Sequence, residues 1–192
     1  MRILVADGNP ANLESARRTL AGHDLVLVDT PEAAAEILFR QSEAMPHEVS
    51  VSQQFDVVLL SLYDEKQSEK KMFNEAPPVG FSLALTAASR RVAPLIGMVA
   101  GYLYSYDHPF GEPIKLLFDR RWSDGSRGVV INGTRVTFSD HVITQGYHDG
   151  RECEFCAHFR RIRPDCPTCQ GVGKYVRAKN WGRALTRLLG KE

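Results

Sequence analysis

Short runs of consecutive apolar residues, each cut off by a polar or turn-forming residue, constrain this chain most: Ile3-Leu4-Val5-Ala6, Leu25-Val26-Leu27-Val28 and Val57-Val58-Leu59-Leu60. The first ends in Asp7-Gly8-Asn9-Pro10, the third continues into Ser61-Leu62, and Pro94 to Ala100 forms a fourth. Strands with one wet face alternate polar and apolar residues. Apolarity on both faces belongs to parallel strands covered by helices. Helical spacing fills the intervals. Leu13, Ala16 and Leu20 share a face over residues 11–21, with Asn9-Pro10 as a start and Gly22 as a stop. Thr30, Glu32 and Glu36 open a second helix through Leu38, and Gly80 to Val92 is a third, burying Phe81, Leu83, Ala84, Ala87 and Ala88. Strand and helix in strict alternation predict right-handed crossovers and a doubly wound α/β sheet.

Beyond residue 101 the pattern thins. Ile114 to Phe118 fits a short helix, and Asn132-Gly133 between two β-branched runs predicts a hairpin over 129–138. One arm, Arg135 to Phe138, supplies a fifth strand at the sheet edge. Residues 41–54 read as a loop or a helix extension, and 63–79 as a long charged excursion containing Pro77-Pro78. Tyr102, Tyr104 and Tyr106 alternate, as edge packing or an interaction surface would present them. A last helix covers 180–189, with Trp181, Leu185 and Leu188 inward. The expected organisation is an α/β domain over 1–146, a metal knuckle over 147–176, and a helix over 177–192 that packs back on the domain.

The knuckle rests on Cys153-Glu154-Phe155-Cys156 and Cys166-Pro167-Thr168-Cys169, which account for all four cysteines. Each C-x-x-C turn aims two thiolates at one centre, and four thiolates suit tetrahedral Zn²⁺. Such a shell is closed, hence structural; iron, a redox dithiol or disulfides are the alternatives. His148 and His158 read as surface residues, or as substitute ligands. Cys166 to Gly173 resembles one C-x-x-C-x-G-x-G motif of DnaJ-type chaperones, but Ala157-His158-Phe159 replaces the glycines after the first pair. The N-terminal run Met1 to Asp7 lacks the apolar length and cleavage site of a signal peptide and implies a cytoplasmic setting, and in such a reducing compartment two C-x-x-C pairs point to metal. No run of about 18 apolar residues is available to span a membrane.

The formal net charge of +1 and the 24% charged residues give no global attraction to nucleic acid or anionic lipid. Locally, Arg160, Arg161, Arg163, Lys174, Arg177, Lys179, Arg183 and Arg187 make the C-terminal third cationic. This is either a solvated surface around the knuckle or a nucleic-acid patch.

Ile3 to Leu13 and Phe55 to Leu62 resemble the receiver domain of bacterial response regulators. The resemblance implies strand order 2-1-3-4-5, two acidic residues after the first strand that hold Mg²⁺, a phospho-acceptor aspartate ending the third, a Ser or Thr after the fourth and a Lys after the fifth. Here Asp7 matches the first acidic position, Gly8 stands at the second and Ser61 at the acceptor. Val99-Ala100-Gly101 offers no hydroxyl, and no Lys-Pro follows the fifth strand. Together with Pro78 to Phe81, Asp107-His108-Pro109 and the Trp181 helix, the chain resembles small bacterial receiver-like proteins with a C-terminal cysteine knuckle.

Ligands of doubly wound sheets bind at the carboxyl ends of the strands. Asp7, Ser61, Asp64 and His108 are therefore expected to converge there, as a vestigial receiver pocket or a small-ligand site with Ser61 and His108 as a reactive pair. No G-x-S-x-G elbow, P-loop or dinucleotide fingerprint accompanies them. The expected function is a non-catalytic pseudo-receiver in signal transduction: a regulatory or scaffolding module for an unknown protein partner, with structural zinc. Nucleic-acid binding through Arg160, Arg161 and Arg163 is the alternative, followed by an atypical phosphorelay regulator or a small pocket enzyme.

Overall fold

Each apolar run forms one strand of a single sheet in the computed structural model, which describes residues 1–39, 55–62, 78–100, 111–118, 128–139, 156 and 178–191. The strands are β1 (Arg2–Ala6), β2 (Asp24–Val28), β3 (Val57–Ser61), β4 (Leu95–Val99), β5 (Val129–Ile131) and β6 (Thr134–Ser139). The helices are α1 (Pro10–Thr19), α2 (Pro31–Phe39), α3 (Val79–Ser89), α4 (Gly111–Phe118) and α5 (Trp181–Leu188).

The sheet runs β2-β1-β3-β4-β6-β5. β1 pairs in parallel with β2 and β3, β3 with β4, and β4 with β6, in the register Leu60↔Met98 and Met98↔Phe138. The expected five-stranded parallel sheet in the order 2-1-3-4-5 is corrected at its edge. Both hairpin arms join, so β5 adds a sixth, antiparallel strand outside β6. Asn132 and Gly133 make the reversal with φ of 49° and 83°, the left-handed pair that a two-residue hairpin loop requires. Once β6 is docked, β5 follows without a crossover, and Val130 faces outward at the edge.

Successive strand residues divide between two faces. Leu4, Val58, Leu60, Ile96, Met98 and Val136 face α2, α3 and α4, meeting Leu38, Ala84, Ala87, Ala88, Ile114 and Phe118. Ile3, Val5, Val57, Leu59 and Val99 face the other way, towards Leu13, Ala16 and Leu20 of α1 and Trp181, Ala184, Leu185 and Leu188 of α5. Trp181 and Leu188 are fully buried, and full burial of each such side chain contributes about 1.5–3 kcal/mol. Gly97 makes room for Leu59 and Leu188: a Cβ there would lie 2.8 Å from Leu59 Cδ2 and 3.5 Å from Leu188 Cδ2.

The helix ends follow local rules. Asn9 caps α1 by accepting from the Ala11 N–H at 2.9 Å, with Pro10 in the first turn. Thr30 Oγ1 accepts from the Ala33 N–H at 3.1 Å at the start of α2. Both α3 and α5 end in the paired reverse bonds of a Schellman motif: Val92 N–H to Ala87 O with Arg91 N–H to Ala88 O, and Lys191 N–H to Thr186 O with Gly190 N–H to Arg187 O. Gly190 takes the left-handed position in the second; in the first Arg91 holds it, at φ 56°. No helix among the described residues is long and apolar enough to cross a membrane.

Candidate functional site

The chain leaves β1 in one direction to form β2 and in the other to form β3, so the switch point of the sheet lies between β1 and β3. Crevices at such points, outside the carboxyl ends of the strands, are where doubly wound sheets bind ligands. Asp7 follows β1 and prolongs it by one backbone bond, its N–H to Val28 O at 3.0 Å. Ser61 ends β3. A small open cleft lies between them, walled by Gly8, Thr30, Pro31 and, from α3, Val79 and Leu83. Gly80 lets α3 approach β3 beside the cleft: the first turn of α3 lies so near β3 that a Cβ at Gly80 would fall 1.9 Å from the Ser61 carbonyl oxygen.

Both side chains meet a lysine from far along the chain. Lys179 Nζ donates to Asp7 Oδ2 at 2.6 Å and to Ser61 Oγ at 2.7 Å. Asp7 and Lys179 are each 3% exposed. A buried charge is costly unless it is paired and hydrogen-bonded, and here the pairing is dense. Asp7 Oδ1 also accepts from the Asn9 N–H at 2.8 Å, and Asn12 Nδ2 donates to both carboxylate oxygens at 3.0 Å.

Asn12 is the hub. While its amide nitrogen holds Asp7, its Oδ1 accepts from the Lys179 N–H at 2.9 Å, and its carbonyl accepts from Trp181 Nε1 at 2.8 Å. Ser15 Oγ, one turn along α1, donates to the Lys179 carbonyl at 2.7 Å. The Lys179 ammonium lies 5.8 Å from the centre of the Trp181 ring, within cation–π range. Asn180 then caps α5 by accepting from the Arg183 N–H at 2.9 Å. Residues 179–181 thus enter the cleft, bind α1 and start the last helix in succession.

Of the expected site residues, Asp7 and Ser61 are brought to a common partner. Asp64 and His108 lie outside the described residues, as do Tyr102, Tyr104, Tyr106, His148, His158, Arg160, Arg161 and Arg163. Of the four cysteines Cys156 is described, and it is buried; Cys153, Cys166 and Cys169 are not among the described residues. No group of three His, Cys, Asp or Glu side chains gathers among the described residues. Lys179 corrects the reading of the basic stretch. It is a buried member of the core site, whereas Arg183 of the same stretch is exposed. The lysine expected after the fifth strand is missing at the end of β6, and Lys179 brings an ammonium to the strand ends forty positions later.

The arrangement bears on what chemistry is available. A Ser–Lys nucleophile pair needs a neutral amine to take the serine proton. Here Lys179 Nζ donates to Ser61 Oγ at 2.7 Å and to the Asp7 carboxylate at 2.6 Å, the arrangement of a charge-assisted pair and not of a base poised on the serine proton. The chain matches no family model and no curated protein.

Proposed function

We propose that the chain is a non-catalytic pseudo-receiver, a regulatory or scaffolding module that acts by binding a protein partner and carries a structural zinc in its four-cysteine segment. The observation that carries the reading is the Lys179–Asp7–Ser61 contact. Phosphoryl transfer to a receiver uses carboxylates both to hold Mg²⁺ and to take the phosphoryl group. In this cleft the Asp7 carboxylate is engaged by Lys179, Asn9 and Asn12, and a hydroxyl stands at the acceptor position. The ammonium stands where charge neutralisation by a metal would be needed. What remains is the receiver-like scaffold with its acid site internally satisfied.

Two further features support a binding role. α4 buries Ile114 and Phe118 and turns Leu116 and Leu117 outward, 71% and 46% exposed, apolar surface of the sort that partners cover. The spacing of Cys153, Cys156, Cys166 and Cys169 suits one closed zinc centre, which would hold a surface in place without performing chemistry.

The test is treatment with acetyl phosphate and Mg²⁺, followed by intact-mass measurement. The expected result is no phosphoryl increment. A stoichiometric increment that disappears in Ser61→Ala or Asp7→Asn overturns the proposal.

A further inference from the structure

The hydrogen bonds that seat Lys179 connect two regions that a purely structural ion pair would leave independent: the cleft at the switch point and the docking of α5. We infer that Lys179 is the built-in cation of this cleft, a plug whose ammonium neutralises Asp7 while its backbone fastens the C-terminal helix, so that charge balance in the cleft and docking of α5 are one event.

The steric part follows from distance. Hard divalent cations sit about 2.0–2.6 Å from carboxylate oxygens, and the Lys179 nitrogen already lies 2.6 Å from Asp7 Oδ2. A metal ion at that oxygen and the ammonium would claim the same volume. The electrostatic part follows from burial. Asp7 contributes one negative charge and Lys179 one positive charge, at 3% exposure each. A second cation would leave uncompensated positive charge in a site shielded from water.

The mechanical part lies in Asn12. Its amide holds both Asp7 oxygens on one side and the Lys179 N–H on the other, so the carboxylate and the entry to α5 share one side chain. Ser15 Oγ on the Lys179 carbonyl, Trp181 Nε1 on the Asn12 carbonyl and Gly182 N–H on Thr19 Oγ1 continue the fastening along α1. Gly182 sits so close to α1 that a Cβ would lie 2.6 Å from the Thr19 carbonyl oxygen. Withdrawal of the lysine from the cleft therefore pulls on a close-packed helix pair. By linkage, whatever displaces the ammonium undocks α5, and whatever undocks α5 opens the cleft. The group the cleft holds is a primary alkylammonium, compact, singly charged and rich in donors, so a small ion of that kind should refill the cleft when the lysine side chain is removed.

A double-mutant cycle on the full chain tests this, in a Trp122→Phe background so that emission reports on Trp181 alone. Lys179→Met and Asp7→Asn singly are each expected to lower the folding constant about a hundredfold or more, by leaving a buried charge without its partner. The double variant is expected to recover most of that loss, with Trp181 emission returned to its buried position. Additive losses, or a double variant that does not fold, overturn the inference. Lys179→Ala supplies the second arm. Ethylammonium is expected to raise its urea midpoint and blue-shift Trp181, whereas tetramethylammonium at equal ionic strength, lacking N–H donors, is not. Equal effects of the two ions, or none from either, overturn the inference. Magnesium chloride is expected to leave wild-type emission where sodium chloride of matched ionic strength leaves it; a magnesium-specific red shift counts against the plug. None of these readouts depends on phosphorylation or on a protein partner, so failure here and failure of the proposed function are separable.

Discussion

Gly80→Ala places a methyl group where α3 and β3 leave no space for one. A Cβ there would stand 1.9 Å from the Ser61 carbonyl oxygen, 2.8 Å from the Ser61 carbonyl carbon and 3.0 Å from Leu62 Cα. All three are backbone atoms, so no side-chain rotation relieves the overlap. Either α3 backs away from β3 by about an ångström, opening the packing of Ala84, Ala87 and Ala88 on the sheet, or the end of β3 moves. Overpacking of this kind costs about 1–3 kcal/mol and sometimes more. Alanine recovers about 0.5–1 kcal/mol relative to glycine inside a helix. With an overpacking cost at the upper end, the net loss is about 2 kcal/mol. At a urea m-value of about 2 kcal/mol per molar, the midpoint falls by about 1 M. Equilibrium urea unfolding followed by far-ultraviolet circular dichroism measures it. Gly133→Ala is the control: its Cβ would meet nothing within 4 Å, and only the φ of 83° opposes it, at about 1–2 kcal/mol. A midpoint for Gly80→Ala equal to or above that of the parent would refute the close approach of α3 to β3. Because the obstacle is the carbonyl of Ser61, the substitution should also shift Trp181 emission through Lys179. The glycine control should not.

Arg91→Gly is expected to stabilise the chain by about 1 kcal/mol, visible as a raised thermal midpoint, since exposed Arg91 holds the left-handed position after α3. Leu188→Ala is expected to cost about 3 kcal/mol in chemical unfolding, because the side chain is fully buried between α5 and the sheet; a loss below about 1 kcal/mol would place α5 elsewhere. Elemental analysis of the purified chain is expected to find one zinc per molecule, with the content collapsing in Cys166→Ser. Zinc unchanged in that variant would dismiss the four-thiolate site.

β1, β3 and β4 are legible because burial on both faces leaves little room for polar residues, and their short apolar runs say so directly; β2, half-buried at the edge, carries the same kind of run. α1 is legible from its start at Asn9-Pro10, and α5 from the spacing of Trp181, Leu185 and Leu188. The hairpin is legible too, but nothing in its first arm marks it as a strand of the sheet. Val129 to Ile131 are only three residues long, and an edge strand with one outward valine resembles a turn flank. Lys179 was the larger omission. It sits among Lys174, Arg177 and Arg183, where charge density reads as surface, and nothing local distinguishes it. Its burial depends on Asp7, a partner 172 positions away, and periodicity cannot pair residues at that range. The nearest local clue is its place directly before a helix cap and a tryptophan.

The separation between Asp7 and Lys179 also governs when the molecule can finish folding. The four bonds that join Lys179, Trp181 and Gly182 to α1 close spans of 163 to 169 positions, and such non-local closures slow folding because loop entropy is lost before contacts repay it. During synthesis, residues 1–139 can form all six strands seen among the described residues, yet Ile3, Val5, Val57, Leu59 and Val99 wait for α5 with part of their face uncovered. Until it arrives, the nascent sheet carries an apolar face and a buried-to-be carboxylate with no countercharge, a state suited to chaperone binding. The last helix is therefore the step that commits the chain to its native state, and lesions in it should reduce yield in cells more than they alter the finished protein.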